Sequence, residues 1–248
     1  LETRKPGTLV MSDQNRIGRY TAALEFGEQQ VAAMIAKNPD VFPVRTNGGR
    51  WNSEPAPESR WAHGFLTGLM WVFHARTGDQ KWRDLAEHYC KLLEPRNADP
   101  QAFGLGAVFM NSYLPWYEVS KEKALLKVLV QAGNTLAKQF QHKGRFLSTH
   151  ATPWTLSIDA MMNSPLINFV ANETLDADLA RFSTAHCRTT RDSLIRPDGS
   201  TSEIGLFDET TGKFAEHSNR QGLSADSCWA RGPSWSLFGF TTMDELSD

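Results

Sequence analysis

One carboxylate, Asp159, stands among large apolar side chains in this chain of 248 residues. Trp154 and Ile158 precede it, and Met161 and Met162 follow it. Apolar surroundings raise the pKa of a carboxyl group, because desolvation penalises the charged form. A carboxyl group that keeps its proton near neutral pH can deliver that proton in a reaction. The pattern therefore predicts a catalytic acid at Asp159, although an Asp before an apolar run can also serve as a helix N-cap.

A second stretch that could do chemistry runs from Gln221 to Trp235. Arg231 and Trp235 lie four residues apart at the entrance of an expected helix, so they share one helical face. A guanidinium group can hold a carboxylate through two hydrogen bonds, and the indole could stack on the ring that carries this carboxylate. The pattern indicates a clamp for an anionic ring, and the alternative is a buried structural arginine with aromatic packing.

Two kinds of helical segment alternate along the chain and would position these residues. Apolar segments, typical of buried inner helices, are expected at 61–75, 103–119 and 159–170, and amphipathic segments follow at 79–93, 121–141 and 176–195. A helix over 15–37 precedes the series, and an apolar segment over 226–243 ends it. An inner helix followed by an outer one, repeated roughly every 40 to 50 residues, predicts stacked helical hairpins.

A strand-like stretch at about 200–214, with a turn at Thr211–Gly212, interrupts the helical pattern and predicts a small β-hairpin. The last inner-type helix has no outer helix after it. The ring of hairpins is therefore open, or incomplete, or covered by a neighbouring chain. The sequence predicts one toroid-type domain over 1–248, incomplete at its C-terminal end, which could self-associate over the open end.

Composition and motifs argue against several other classes of protein. A net charge of −2 offers no basic field for nucleic acid or an anionic membrane, and no apolar run approaches the roughly 20 residues of a membrane helix. Gly104–Leu105–Gly106 lacks the third glycine of a phosphate-binding loop, and the seven histidines lack zinc-site spacing. We expect neither metal nor cofactor. Three widely spaced cysteines and no visible signal peptide favour a cytoplasmic location.

Four stretches of the chain resemble glycoside hydrolase family 88, the unsaturated glucuronyl hydrolases, in order and spacing. The first is Trp61–Ala62–His63–Gly64–Phe65 with Gly68–Leu69–Met70–Trp71. The second is Ile158–Asp159–Ala160–Met161–Met162–Asn163–Ser164–Pro165–Leu166. The third runs from Asp198–Gly199–Ser200 through Gly212, and the fourth from Gln221–Gly222 through Trp235. The resemblance implies an (α/α)6 toroid of six helical hairpins. It agrees with the inner and outer helices expected from periodicity.

The resemblance also implies an activity. The family releases a terminal 4,5-unsaturated uronic acid from oligosaccharides left by polysaccharide lyases, by hydrating the vinyl ether double bond. This chemistry differs from ordinary two-carboxylate glycosidase chemistry. By matched position Asp159 would be the acid/base, and four residues would bind the sugar: Trp61, Gln221, Arg231 and Trp235. The implied partner is an unsaturated oligosaccharide.

Two positions depart from the family pattern. The second family carboxylate falls on Gly104, and the nearest acid, Asp99, could serve only after a loop shift. A family histidine falls on Glu203. Losing a catalytic carboxylate lowers activity strongly, so the alternative is a catalytically impaired relative that only binds unsaturated or acidic sugars. A bare helical scaffold is a third reading, which the Trp and Arg residues at matched positions disfavour. If the alignment is right, Gly104→Asp should raise the activity.

Overall fold

The structure, a computed structural model, describes residues 13–51, 57–148 and 154–247. Within these ranges the backbone forms nine α-helices: α1 Asp13–Lys37, α2 His63–Thr77, α3 Gln80–Leu93, α4 Leu105–Asn111, α5 Tyr113–Ser120, α6 Lys123–Ala137, α7 Ser164–Thr174, α8 Ala177–Leu194 and α9 Arg231–Glu245. Short 3₁₀ turns lie at Pro57–Ala62, Glu94–Ala98 and Ile158–Met162. The predicted helical fold class is confirmed.

Apolar and amphipathic helices alternate as predicted. Helix α7 is buried on every side from Ser164 to Ala171, whereas α8 buries one stripe and exposes the opposite face to solvent. The pairs α2–α3, α5–α6 and α7–α8 pack closely against each other, and one hydrophobic core runs from Val31 on α1 to Leu179 on α8. The chain is therefore a series of helical hairpins that share a continuous apolar interior.

One predicted inner helix, 103–119, is two helices in the structure. Helix α4 ends at Asn111, and Ser112, a turn residue with φ of −116° and ψ of −72°, separates it from α5. The Ser112 hydroxyl donates a hydrogen bond to the Val108 carbonyl at 2.7 Å, which helps to close the first helix. Pro115 falls in the first turn of α5, where its missing N–H group is not needed.

Short strands in the described part of the chain form three antiparallel sheets. The first pairs β1 Thr46–Asn47 with β2 Arg50–Trp51, the second pairs β3 Phe140–Gln141 with β4 Phe146–Leu147, and the third contains β5 Thr155–Ser157, β6 Ile204–Phe207 and β7 Phe214–Ser218 in that order. The β6–β7 hairpin is the one predicted near 200–214, and its second strand extends to Ser218. Strand β5 is too short to be visible in the sequence pattern.

The pairing of β5 with β6 joins two segments that are far apart in the sequence. Ser157 lies opposite Ile204, and the N–H group of Ile158 donates a hydrogen bond to the Glu203 carbonyl oxygen at 2.9 Å. Asp159 follows Ile158 directly. The strand pair therefore brings Asp159 and Glu203 to the same end of the third sheet.

Several large apolar side chains remain exposed on the helices: Ile17, Tyr20 and Phe26 on α1, Phe65, Leu69 and Val72 on α2, and Leu237 on α9. None of the helices within the described ranges is both long and apolar enough to cross a lipid bilayer. Self-association over the open end of the toroid stays a prediction.

The loop 219–230, which leads into α9, is held to the end of α8 by one arginine. The Arg196 guanidinium donates through Nη1 to the Ser200 hydroxyl and the Thr201 carbonyl, at 3.1 and 3.2 Å. Through Nη2 it donates to the carbonyls of Ala225 and Ser227, both at 3.2 Å. A single planar cation thus ties the loop to the turn before β6.

We expect Arg196→Lys to lower the free energy of unfolding by about 2 kcal/mol, because an ammonium group cannot reach both pairs of acceptors. Amide hydrogen exchange should become faster at residues 225–231, since the loop loses its anchor. Arg188→Lys, at an exposed position of α8, is the matched control and should change neither quantity. Unchanged exchange at 225–231 in Arg196→Lys would show that the loop is held by other contacts.

Candidate active site

The 3₁₀ turn Ile158–Met162 places Asp159 inside the protein. The N–H group of Asp159 donates to the Ser157 hydroxyl at 3.4 Å, so Ser157 and not Asp159 caps this turn. The neighbours Ile158, Met161 and Met162 are all buried. The N-cap alternative for Asp159 therefore does not hold, because its side chain is not used to cap the following backbone.

The Asp159 carboxyl group is buried in a mixed electrostatic environment. Only 6% of the residue is exposed, and its Oδ1 atom has no hydrogen-bond partner within the described residues. Burial raises the pKa of Asp159 to about 6, against the opposing charges of Arg231 and Arg220, and the negative charge of Glu203 adds to the increase. This carboxyl group can therefore hold a proton close to neutral pH, as the sequence predicts.

Arg231 lies at the first position of α9, between two indole rings. Its guanidinium carbon is 4.0 Å from the ring centroid of Trp229 and 5.7 Å from that of Trp61. Its Nη2 donates to the Gln221 side-chain oxygen at 2.5 Å, while its Nε is buried without a partner among the described residues. Stacking and the Gln221 hydrogen bond fix the plane of the cation.

The two predicted tryptophans pack against each other. The Trp61 and Trp235 ring centroids are 5.5 Å apart in an edge-to-face arrangement, and Phe65 stacks on Trp235 at 6.3 Å. Trp61 is partly exposed, whereas Trp235 is only 8% exposed and its indole N–H has no partner in the described chain. Trp61 therefore has the more accessible ring, and Trp235 packs against it from the buried side.

The structure thus brings all five predicted site residues together. Arg231 contacts Gln221 and Trp61, Trp61 contacts Trp235, and the charge of Arg231 acts on Asp159. The roles of these residues stay predictions.

Glu203 is a site residue that the sequence marks only as a departure from the family pattern. It is 3% exposed, and its carboxylate accepts hydrogen bonds from the backbone N–H groups of Arg220, Gln221 and Gly222 at 2.7 to 3.1 Å. Burial raises the pKa of Glu203, but these N–H donors outweigh it and hold the pKa below its ordinary range. The sequence does contain one indication of a role for Glu203, which is its position as a charged residue directly before the apolar strand β6.

Gly104 forms the left-handed start of α4, with φ of 78°. A Cβ atom at this position would lie 2.5 Å from the Trp61 Cβ and 2.8 Å from the Met162 Cε. The backbone conformation and the tight contact both favour glycine. The expectation that Gly104→Asp raises activity does not fit this geometry, because the new side chain would push Trp61 away. Asp99 accepts a hydrogen bond from the Gln101 N–H at 2.9 Å within its own turn.

His186 and Cys187 are packing residues rather than a nucleophilic pair. His186 is fully buried, and its Nδ1 accepts a hydrogen bond from the Leu147 N–H at 3.1 Å. Burial lowers the pKa of His186 to about 4 and raises the pKa of Cys187 to about 11, so both are neutral near pH 7. All three cysteines are free thiols; Cys90 is buried and Cys228 is exposed.

Paired inner and outer helices define an α/α toroid protein, and its candidate site contains a buried acid together with an arginine and several indoles. The chain belongs to glycoside hydrolase family 88, whose model matches residues 31–246. The resemblance inferred from the sequence motifs is confirmed.

Two curated relatives illustrate the match. The unsaturated chondroitin disaccharide hydrolase of Streptococcus pneumoniae is 27% identical over 208 residues, which cover 81% of this chain and 50% of the relative. The unsaturated glucuronyl hydrolase of Bacillus sp. (strain GL1) is 25% identical over 191 residues, covering 73% of this chain and 50% of the relative. This chain spans about half the length of these curated relatives.

Solved structures share the fold. The unsaturated glucuronyl hydrolase of Streptococcus agalactiae superposes with a TM-score of 0.84 at 24% identity, over 92% of this chain and 59% of that one. An unsaturated glucuronyl hydrolase specific for heparin superposes with a TM-score of 0.79 at 25% identity, over 87% and 59% of the two chains. The α/α toroid architecture of this chain is therefore established.

The raised pKa of Asp159 predicts a pH-dependent contribution to stability. The folded protein holds this proton more tightly than the unfolded chain, so the contribution is fully present below the ordinary carboxyl pKa and is lost as the pH rises from there through about 6. Relative to Asp159→Asn, the wild type should lose about 3 kcal/mol of unfolding free energy across this range. Urea unfolding of both proteins at several pH values measures the difference. If the unfolding free energy of the wild type minus that of Asp159→Asn stays constant or rises with pH, the carboxyl group of Asp159 is not buried with a retained proton.

Gly104 allows a second test. Gly104→Ala should lower the unfolding free energy by about 3 kcal/mol, combining left-handed strain with overpacking against Trp61. Gly199 has a similar φ of 83° but no atom within 4 Å of an added Cβ. Gly199→Ala should therefore lose only about 1 kcal/mol, from backbone strain alone. Equal losses in the two variants, measured by chemical denaturation, would mean that Trp61 is free to move.

Proposed function

We propose that this chain carries the catalytic acid and sugar clamp of an unsaturated glucuronyl hydrolase. Its substrate class would be oligosaccharides that end in a 4,5-unsaturated uronic acid, as polysaccharide lyases produce. The observation that carries the proposal is a buried carboxyl group, Asp159, whose pKa is raised to about 6 in a site that also contains Arg231. One group can give a proton, and the other can hold an anion.

The chemistry needs one proton donor that becomes a proton acceptor. Protonated Asp159 would give its proton to ring carbon C4 of the unsaturated sugar, and the C4–C5 double bond supplies the electron pair. Positive charge then develops at C5 and the ring oxygen. Water adds to C5 and returns a proton to the Asp159 carboxylate, so the acid is regenerated. The product is a hemiketal, which opens and releases the next sugar.

The geometry around Arg231 suits the carboxylate of such a sugar. The guanidinium is held in plane by Trp229 and Gln221, so it loses little freedom when it binds. Trp61, partly exposed beside it, offers an aromatic face for the sugar ring. We assign anion binding to Arg231 and Gln221, and the wall of the sugar site to Trp61 and Trp235.

The names of the relatives support this substrate class. The curated relative from Streptococcus pneumoniae is a hydrolase of unsaturated chondroitin disaccharide. A mutant of the unsaturated glucuronyl hydrolase of Streptococcus agalactiae was crystallised in complex with dGlcA-GalNAc6S. The first of these names states an unsaturated disaccharide as the substrate, which supports the proposed substrate class.

A second candidate function is sugar binding without efficient turnover. Gly104 favours this reading, because the position offers no carboxylate and has no room for a side chain. In that case Arg231, Gln221 and Trp61 would still bind an acidic sugar, but Asp159 would lack a partner to orient the attacking water. The two functions differ in turnover and not in affinity.

Loss of the ultraviolet absorbance of an unsaturated uronic disaccharide measures the reaction, because hydration removes the conjugated double bond. We expect Asp159→Asn to lower kcat by a factor of about 10² to 10⁴. Arg231→Ala should mainly raise KM, by roughly ten- to a hundredfold, through loss of a charge-assisted contact. Asp192→Asn, at an exposed position of α8, should behave as wild type.

Calorimetric binding of the same disaccharide separates the two candidates. Saturable binding without absorbance decay, abolished in Arg231→Ala, would favour the binding protein. Neither binding nor decay by the wild-type chain would contradict both assignments.

A further inference from the structure

Glu203 is a second carboxylate beside the proposed acid, supplied by a different part of the chain. Its backbone carbonyl accepts the N–H of Ile158, the residue directly before Asp159, at 2.9 Å. The side chain is 3% exposed, yet no lysine or arginine side chain within the described ranges forms an ion pair with it. A buried carboxylate without a cationic partner needs another source of stabilisation.

Backbone N–H groups provide that stabilisation. The Glu203 Oε2 atom accepts from Arg220, Gln221 and Gly222 at 3.1, 2.9 and 2.7 Å. The Oε1 atom accepts a second contact from the Gln221 N–H at 3.0 Å. Three consecutive N–H groups that converge on one anion fix the local backbone. Without this carboxylate, all three donors would lose their partner.

The 220–222 backbone, held in this way, positions the hydrogen-bonded pair of Gln221 and Arg231, which is called the clamp below. Gln221 lies at the centre of the three N–H donors, and its side-chain oxygen accepts from Arg231 Nη2. The Gln221 amide also interacts with the Asp159 and Glu203 carboxyl groups, and lowers the pKa of both. Contacts therefore run without a break from Glu203 through the 220–222 backbone to the arginine.

The charges that face Asp159 come from three elements. Arg231 at the start of α9 and Arg220 in the loop before it favour the ionised carboxylate, whereas Glu203 before β6 opposes ionisation. His186 on α8, behind the 3₁₀ turn, is fully buried and neutral near pH 7. Among these groups Glu203 is the one anion, so its removal shifts the balance toward ionised Asp159.

We propose that Glu203 is the positioning residue of this site and that it fixes the Gln221–Arg231 clamp through the 220–222 backbone. The expected effect on activity rests on the proposed hydration reaction, whereas the contacts of Glu203 do not depend on it. A neutral imidazole offers one acceptor nitrogen, so a histidine at this position could not hold three N–H groups. The role therefore belongs to the carboxylate present in this chain.

Nuclear magnetic resonance of the wild-type chain without substrate tests the contacts directly. The amide resonances of Arg220, Gln221 and Gly222 should shift together as Glu203 is protonated, with a midpoint below the ordinary glutamate range. The Asp159 carboxyl carbon, assigned by its loss in Asp159→Asn, gives the second midpoint. Amide resonances that do not respond to acid, or respond at unrelated midpoints, would overturn the proposal.

Two substitutions separate the two effects of Glu203. Glu203→Gln removes the charge, so the Asp159 midpoint should fall and the three amide resonances should shift. Glu203→Asp keeps the charge but shortens the reach, so the amides should shift while the Asp159 midpoint stays raised. Glu216→Gln, at an exposed position of β7 in the same sheet, should change neither. An unchanged Asp159 midpoint with unshifted amides in Glu203→Gln would overturn the proposal.

The absorbance assay adds the consequence for the reaction. In Glu203→Gln we expect kcat/KM to fall about a hundredfold through a misplaced clamp, and the fall in activity with rising pH should begin at a lower pH. A lower rate with an unmoved pH profile would indicate a merely structural role. If the wild type has no activity, the proposed function fails and the resonance titrations still decide the role of Glu203. If Glu203→Gln does not fold, the wild-type titration and Glu203→Asp decide it.

Discussion

The hydrogen bond between the Ile158 N–H and the Glu203 carbonyl connects the two halves of the site. It continues the pairing of β5 with β6, and it joins the residue before Asp159 to the backbone of Glu203. One partner carries Asp159 into the interior at the 3₁₀ turn. The other carries Glu203, whose side chain organises the backbone at 220–222. If β5 were to slip by one residue against β6, the side chains of β5 would point to the opposite face of the sheet. Asp159 and the Gln221–Arg231 pair would then no longer face each other.

The site is built at a cost to stability. The Asp159 Oδ1, the Arg231 Nε and the Trp235 Nε1 atoms are all buried without hydrogen-bond partners in the described chain. Each unpaired buried polar atom costs about 1 to 3 kcal/mol, and the surrounding packing must offset that. Gly239 on α9 lies against Met161, with room for no Cβ atom, so the helix that begins with Arg231 packs directly on the turn that holds Asp159. Tight packing of α9 on this turn is thus what keeps the unpaired groups in place.

Local patterns in the sequence predict much of this arrangement. The apolar residues around Asp159 are visible in the sequence, and the four-residue spacing of Arg231 and Trp235 follows from helical geometry. Alternation of apolar and amphipathic segments predicts the hairpins. By contrast, the 3₁₀ turn at Asp159 replaces the first turn of a predicted helix. Ser157 caps this turn, and Pro165 stands in the first turn of the separate helix α7. Such a choice between two helical geometries depends on tertiary contacts.

The role of Glu203 could not be predicted, because it depends on partners that are distant in the sequence. Its hydrogen bonds reach 17 to 19 residues along the chain, to N–H groups whose orientation only the folded loop defines. The left-handed backbone of Gly104 is equally invisible, since a glycine in the sequence does not reveal the sign of φ. Periodicity therefore predicts where the helices lie, and long-range hydrogen bonds decide which charges meet between them.

The charge balance has a consequence for an acidic ligand. Arg231 and Arg220 lower the pKa of Asp159, and Glu203 raises it. A uronate held by Arg231 would neutralise part of the cation that favours ionised Asp159 and would add a further negative charge nearby. Both changes raise the pKa of Asp159 when the ligand is bound. By linkage, protonated Asp159 would in turn favour binding of the anion. Under the proposed function, a site with one acid, two cations and a fixed second carboxylate would therefore deliver its proton best when an acidic sugar occupies it, which is the state in which a proton donor is needed.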